Sequence, residues 1–162
     1  MEKLNKVLNI STNIILIIAS AWIISYAFFY QVKMPGGSMI PSITNDENLI
    51  INRFAYKVFG IKRFDCILFL DYNGKQSIKR VIALPGETIN IKDGFVYVDN
   101  NVIDHPGVEK LYIRQRDLGP IVLTDDEYFV LGDNPDASED SRSEVLGNIH
   151  IDSIIGTIWP AR

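Results

Sequence analysis

Between Lys6 and Lys33 lie 26 residues without a single charged side chain. Their apolar centre, IILIIASAWIISYAFFY, runs from Ile14 to Tyr30. Wound as a helix rising about 1.5 Å per residue, such a segment crosses a hydrocarbon core of roughly 30 Å. Trp22, Tyr26 and Tyr30 are placed to act as interfacial anchors. Asn5, Asn9, Ser11, Thr12 and Asn13 make the leading end more polar. A cleaved leader would have a shorter apolar region and a small-x-small exit, whereas this run ends in AFFYQVK. A retained transmembrane helix over residues 7–30 is therefore expected. Lys3 and Lys6 precede it, so the positive-inside rule places residues 1–6 in the cytoplasm and residues 31–162 outside.

The part beyond the helix is acidic. Lys3, Lys6 and Glu2 are the only charges in the first 32 residues, which leaves −5 on the remainder of a chain whose total is −4. That balance gives no support for nucleic-acid binding. Cys66 is the only cysteine, which excludes an internal disulfide, and its apolar setting, DCILFL, reads as core. One cysteine and two distant histidines argue against a structural metal site, and neither a metal nor a cofactor is expected.

Past Gln31 the pattern becomes short and strand-like. NLIINRF, DCILFLDY, SIKRVIAL, TINIKDGFVYVDNNVI, EYFVLG and IIGTIW are rich in Ile, Val, Phe and Tyr, and most are bounded by turn residues. Lys92–Gly94 and Asp99–Asn101 read as hairpin turns. A mainly β protein is predicted: an N-terminal transmembrane helix followed by an all-β domain of barrel or sandwich type. The more polar stretch from His105 to Asp126 reads as an irregular excursion.

Directly after the helix comes MPGGSMIPSI, Met34 to Ile43, a serine between two glycines and a proline. A serine hydroxyl is a weak nucleophile until a neighbouring base takes its proton. Histidine is the familiar base, but His105 sits in a turn-like DHPG and His150 in NIHID, neither a recognisable catalytic setting. A lysine serves if burial strips its charge. Lys79 in SIKRVIAL has the most apolar neighbours, and Lys62, between Ile61 and Arg63, has fewer. The plainer reading of Lys79 is a solvent-facing residue on an amphipathic strand. The pattern alone leaves both open.

Taken together, the motifs GGSMIPSI, RFDCILF, KRVIALPGETI and GDNPDASEDSR, in that order behind a membrane helix, resemble bacterial type I signal peptidases, particularly the Gram-positive ones. The resemblance covers nearly the whole chain. It implies a membrane-bound Ser–Lys endopeptidase that removes signal peptides after small-x-small residues. Its substrates would be membrane-tethered preproteins beside the lipid bilayer. By motif, Ser38 corresponds to the nucleophile and Lys79 to the general base. Ser138 corresponds to a hydroxyl that orients the lysine amine. Asp140 and Arg142 correspond to the ion pair that holds the loop, with Asp133 in the same supporting set. Gly36 and Gly37 let a substrate backbone approach closely, and the Ser38 backbone N–H is aimed at the developing oxyanion.

Three positions depart from the family pattern. Gly36 stands where some members carry an oxyanion-stabilising serine, Pro135 replaces a common basic residue, and Ala137 replaces a common asparagine. The substrate pocket should be shallow and apolar, filled by Val32, Met34, Met39, Ile43 and Ile78. Ordinary core packing is the competing reading for each of these. A monomer is expected. Other readings are a dedicated maturation peptidase for one pilin- or conjugation-type substrate, or an inactive relative that binds preproteins. A self-cleaving repressor would carry a DNA-binding domain where this chain has its apolar helix.

Overall fold

The apolar run folds into one long helix, α1 (Glu2–Phe28), in a computed structural model that describes residues 2–103 and 117–160. The helix begins before residue 7 and stops short of residue 30. Phe29 and Tyr30 belong instead to the first strand, β1 (Phe29–Lys33). Pairing explains the early stop: Tyr30 lies opposite Ile51 and Val32 opposite Leu49 in an antiparallel ladder with β2 (Asn48–Asn52). From Lys3 to Ile23 the helix is long and apolar enough to cross a membrane, and none of that stretch is buried against the rest of the protein.

The predicted strands form β2, β3 (Cys66–Leu70), β4 (Gln76–Ala83), β5 (Thr88–Lys92), β6 (Phe95–Val98) and β7 (Asn101–Val102). A five-residue helix, α2 (Ala55–Phe59), separates β2 from β3. Both predicted hairpin turns are present. Asp93 and Gly94 have φ of 53° and 82°, and Asp99 and Asn100 have 48° and 66°, the left-handed pair that matches strand twist in a two-residue turn. The supposed irregular excursion is only partly so, because Leu118–Val122 forms β8 beside β5. His105 lies outside the described residues. The fold closes with β9 (Glu127–Leu131), β10 (Ile149–His150) and β11 (Ile154–Trp159).

Two sheets result. The larger runs β1-β2-β11-β3-β4-β9-β10, and the smaller runs β7-β6-β5-β8. Alternation along β3 sorts its side chains to opposite faces. Cys66 and Leu68 join a cluster with Met39, Ile43, Ile78 and Ile158, whereas Ile67 and Phe69 join Val81, Val130 and Ile154. A third cluster, including Ile82, Ile89, Ile91, Val96, Phe129 and Leu131, joins the two sheets. Cys66 is a core residue, as expected.

One glycine of β11 is demanded by packing. The ladder between β11 and β3 slips at Gly156, and a Cβ there would lie 2.5 Å from the Asn52 carbonyl oxygen and 2.7 Å from Ile51 Cγ2. Gly156→Ala must push β2 away, at a cost of about 1–3 kcal/mol. Urea unfolding of the detergent-solubilised chain should show that loss, and an unchanged midpoint would contradict it.

Candidate active site

The site is built on β4, which lies between β3 and β9 and is buried from Ile78 to Ala83. Burial at that depth suits Ile78, Val81, Ile82 and Ala83, but the strand also carries Lys79 and Arg80 side by side. Their exposures are 5% and 1%. The two cations are treated differently. Arg80 is fully paired: Nε donates to Asp133 Oδ1 at 2.8 Å, Nη2 donates to Asp133 Oδ2 at 2.5 Å, and Nη1 donates to the Phe64 carbonyl at 2.9 Å. Lys79 has no such carboxylate. Its Nζ lies 2.9 Å from Ser38 Oγ. Burial pushes the Lys79 pKa below that of an ordinary lysine. Asp140, Glu139 and Asp133 pull it partly back, and Lys75 adds to the depression.

Ser38 reaches Lys79 because the chain after β9 holds the serine loop. Asn134 N–H donates to the Ser38 carbonyl at 2.9 Å. Asn134 Nδ2 donates to the Gly37 carbonyl at 3.1 Å. Gly132 lies so close that a Cβ would sit 2.5 Å from the Ser38 carbonyl oxygen and would overlap Ser138 Oγ. Arg80, Gly132 and Asn134 were not singled out from the sequence as site residues, although the KR and GDN motifs contain them. What the sequence could not supply was the direction of their hydrogen bonds and the closeness of the two loops.

Around Ser138 the outcome is mixed. Asp140 and Arg142 form the expected ion pair, and it is bidentate, with Nε–Oδ1 at 2.7 Å and Nη2–Oδ2 at 2.8 Å. Asp140 Oδ2 also accepts the Gly132 N–H at 3.0 Å, and Arg142 Nη2 donates to the Pro135 carbonyl at 2.9 Å. The pair thus ties the loop to the glycine that faces Ser38. The expected bond from Ser138 to the lysine amine is not made: Ser138 Oγ is buried without a hydrogen-bond partner. It is packed against Gly132 instead.

Gly36 has φ of 129°, a conformation natural for glycine and strained for a side chain. Its N–H donates to Asn45 Oδ1 at 2.6 Å, so it is already engaged. The cleft beside the dyad has a volume of about 200 Å³ and is lined in part by Met34, Gly36, Ser38, Met39, Ile43, Ile78 and Lys79. Val32 is a correction: it lies in the cluster under the cleft and not on its wall, because β1 turns that side chain into the sheet packing. Ala137 and Glu139 are on the wall, where the sequence reading had not placed them. The other candidate bases lie elsewhere. Lys62 is exposed, and His150 Nε2 lies 2.7 Å from Asp126 Oδ2.

A buried amine in contact with a hydroxyl, on a β scaffold behind an apolar helix, has the makings of a serine hydrolase that uses lysine. Comparison with known proteins agrees with a peptidase. The profile of the family described as "Signal peptidase, peptidase S26" matches residues 7–159. Signal peptidase I V of Bacillus subtilis is 35% identical over 147 residues, covering 83% of this chain and 86% of that relative. Signal peptidase I T of the same organism is 32% identical over 168 residues, covering 96% and 85%. A crystal structure of a signal peptidase I from Enterococcus faecalis superposes with a TM-score of 0.50 at 28% identity, covering 60% of this chain and 95% of that one. The chain belongs to the signal peptidase S26 family, and it is a serine endopeptidase.

The Arg80–Asp133 pair gives a direct test of how the site is held. Asp133→Ala strands a guanidinium in the core, which costs about 3–5 kcal/mol for a buried pair broken on one side. Thermal unfolding should register that loss, and a variant as stable as the parent would show that the pair is dispensable.

Proposed function

We propose that this membrane-anchored signal peptidase cleaves signal peptides from exported preproteins with Ser38 as nucleophile and Lys79 as general base. The observation that carries this reading is the 2.9 Å contact between Ser38 Oγ and the buried Lys79 Nζ. The neutral amine accepts the hydroxyl proton as Oγ attacks the scissile carbonyl carbon. The resulting ammonium returns that proton to the departing amine nitrogen as the peptide bond breaks. Water then repeats the sequence on the acyl-enzyme: Lys79 takes one proton from it, the hydroxide oxygen bonds the acyl carbon, and Ser38 leaves with the proton restored.

The protein's own groups share out the remaining tasks. The Ser38 N–H has no acceptor among the described residues, which leaves it available to an oxyanion. The Gly36 N–H, bonded to Asn45, is not free for that role. Once Lys79 becomes an ammonium it needs acceptors for its N–H groups, and the unpartnered Ser138 hydroxyl is the group we assign to meet one of them. The apolar floor formed by Met39, Ile43 and Ile78 suits small side chains before the cut.

Lys3 and Lys6 favour a cytoplasmic N-terminus for α1, with the β domain outside. Anchoring enzyme and substrate to the same bilayer raises the effective concentration of their encounter. The relatives quoted above bear the name Signal peptidase I, which favours the general enzyme over a dedicated maturation peptidase.

Cleavage of a preprotein should therefore follow the protonation of Lys79. Below its depressed pKa the amine is charged and cannot accept a proton, so the rate rises with pH through that value and levels off below the ordinary lysine range. Glu139→Gln removes a carboxylate that favours the ammonium, and should move the rising limb to lower pH. Lys79→Arg should be inactive, since guanidinium stays charged, and so should Ser38→Ala. A pH–rate profile in detergent for the four proteins decides the matter. Substantial cleavage by Lys79→Arg would remove Lys79 from the role of base.

A further inference from the structure

The charge-free run of α1 is not uniformly apolar. Asn5, Asn9 and Asn13 follow one another four residues apart. At about 100° per residue they fall, with Leu16 and Ser20, within a sector of about 80°. All five residues are exposed and touch no other element of the protein. Three hydroxyls in the same half of the helix as the asparagines, or just past it, are satisfied by the helix backbone. Ser11 Oγ and Thr12 Oγ1 donate to the Leu8 carbonyl at 2.8 and 2.9 Å, and Ser20 Oγ donates to the Ile17 carbonyl at 2.9 Å. The carboxamides of Asn5, Asn9 and Asn13 have no hydrogen-bond partner among the described residues.

In a bilayer that difference matters. A core of roughly 30 Å takes up about twenty helical residues. Whether these are counted back from Phe28 or taken from the stretch Lys3–Ile23, Asn13 lies inside the hydrocarbon and Asn9 lies at or inside its inner edge. Water does not reach Asn13 there, and an amide left unpaired in hydrocarbon is costly. Asparagine side chains at such positions hydrogen-bond across to other helices. The partner must offer polar groups at the same two depths.

A second copy meets that demand by construction. Identical chains inserted in the same direction are parallel, and a two-fold axis along the membrane normal sets Asn9 against Asn9 and Asn13 against Asn13. Each carboxamide is both donor and acceptor, so like pairs with like. Spacing by four residues marks one i±4 ridge, which packs against its own copy in a right-handed crossing of roughly −40° to −50°. We propose that the face of α1 bearing Asn9 and Asn13 is a pairing surface on which a second copy of this chain docks, helix to parallel helix, inside the membrane. The proposal rests on α1 spanning the bilayer and replaces the expectation of a monomer.

The test uses the full-length enzyme in phosphatidylethanolamine–phosphatidylglycerol vesicles at low protein density. Leu16→Cys lies on the asparagine face and Ile18→Cys on the opposite one, while the buried Cys66 stays in place and the parent chain serves as blank. Oxidation with copper phenanthroline should give a disulfide-linked dimer from Leu16→Cys and little from Ile18→Cys. Adding Asn9→Leu and Asn13→Leu, which make the helix more apolar and keep it insertable, should weaken self-association about tenfold by energy transfer between labelled chains. Preprotein cleavage per chain should stay at the parent level. Equal cross-linking at both positions, no loss on removing the asparagines, or a Leu16→Cys adduct only with a different polypeptide would each overturn the proposal. Resistance of the chain to alkaline extraction tests the span separately. Cleavage by the parent chain tests the peptidase reading, so a failure of either is distinguishable from a failure of pairing.

Discussion

Keeping water away from one amine is the constraint on which the rest of the structure depends. Lys79 and Arg80 occupy consecutive positions of the same buried strand, yet they serve opposite ends. Arg80 keeps its charge because Asp133 meets it with two hydrogen bonds, as a buried guanidinium requires. Lys79 faces a hydroxyl, and the desolvation that would be intolerable for a fixed charge instead favours its neutral form. Two neighbouring cations on one strand thus end as a paired guanidinium and an amine set against a hydroxyl. The carboxylates of Asp140, Glu139 and Asp133 limit how far the amine is discharged.

Much of this was legible in the sequence, for identifiable reasons. Short runs rich in Ile, Val, Phe and Tyr marked β3, β4 and β9, and the Asp-Gly and Asp-Asn pairs marked the hairpins, because in these elements local preference and tertiary role agree. The apolar neighbours of Lys79 set it apart from Lys62, but its pairing with Ser38 was readable only through the family motifs. Elsewhere local signals misled. Gly119 and Pro120 look like loop residues, but β8 is an edge strand, where proline is tolerated. Phe29 and Tyr30 look like the end of a membrane helix, but the β2 ladder recruits them. Ser138 was assigned a bond that depends on a rotamer and on the fit of Gly132, neither of which is written in the chain.

The three departures from the family pattern find their reasons in the same loops. Gly36 takes a backbone conformation in which a serine would be strained, and its N–H is held by Asn45. Pro135 opens a short 3₁₀ turn, where a missing N–H costs nothing, and its carbonyl still receives Arg142. Ala137 lies on the cleft wall, where a small side chain leaves room for substrate. None of the three disturbs the contact between Ser38 and Lys79.

The junction between α1 and β1 has a mechanical consequence. Phe29 follows Phe28 with no intervening residue, and the Phe28 carbonyl is clasped by the Arg53 N–H at 2.9 Å. Ser38 comes only ten residues after the helix ends, so even a taut chain could carry it no more than about 35 Å from that point. Half of that leash is already committed to β1 and its ladder with β2. With α1 seated in a bilayer, Ser38 and the Lys79 amine beside it would be held within that reach of the lipid surface, so the length of this tether would set which chains near the membrane come within range of the site.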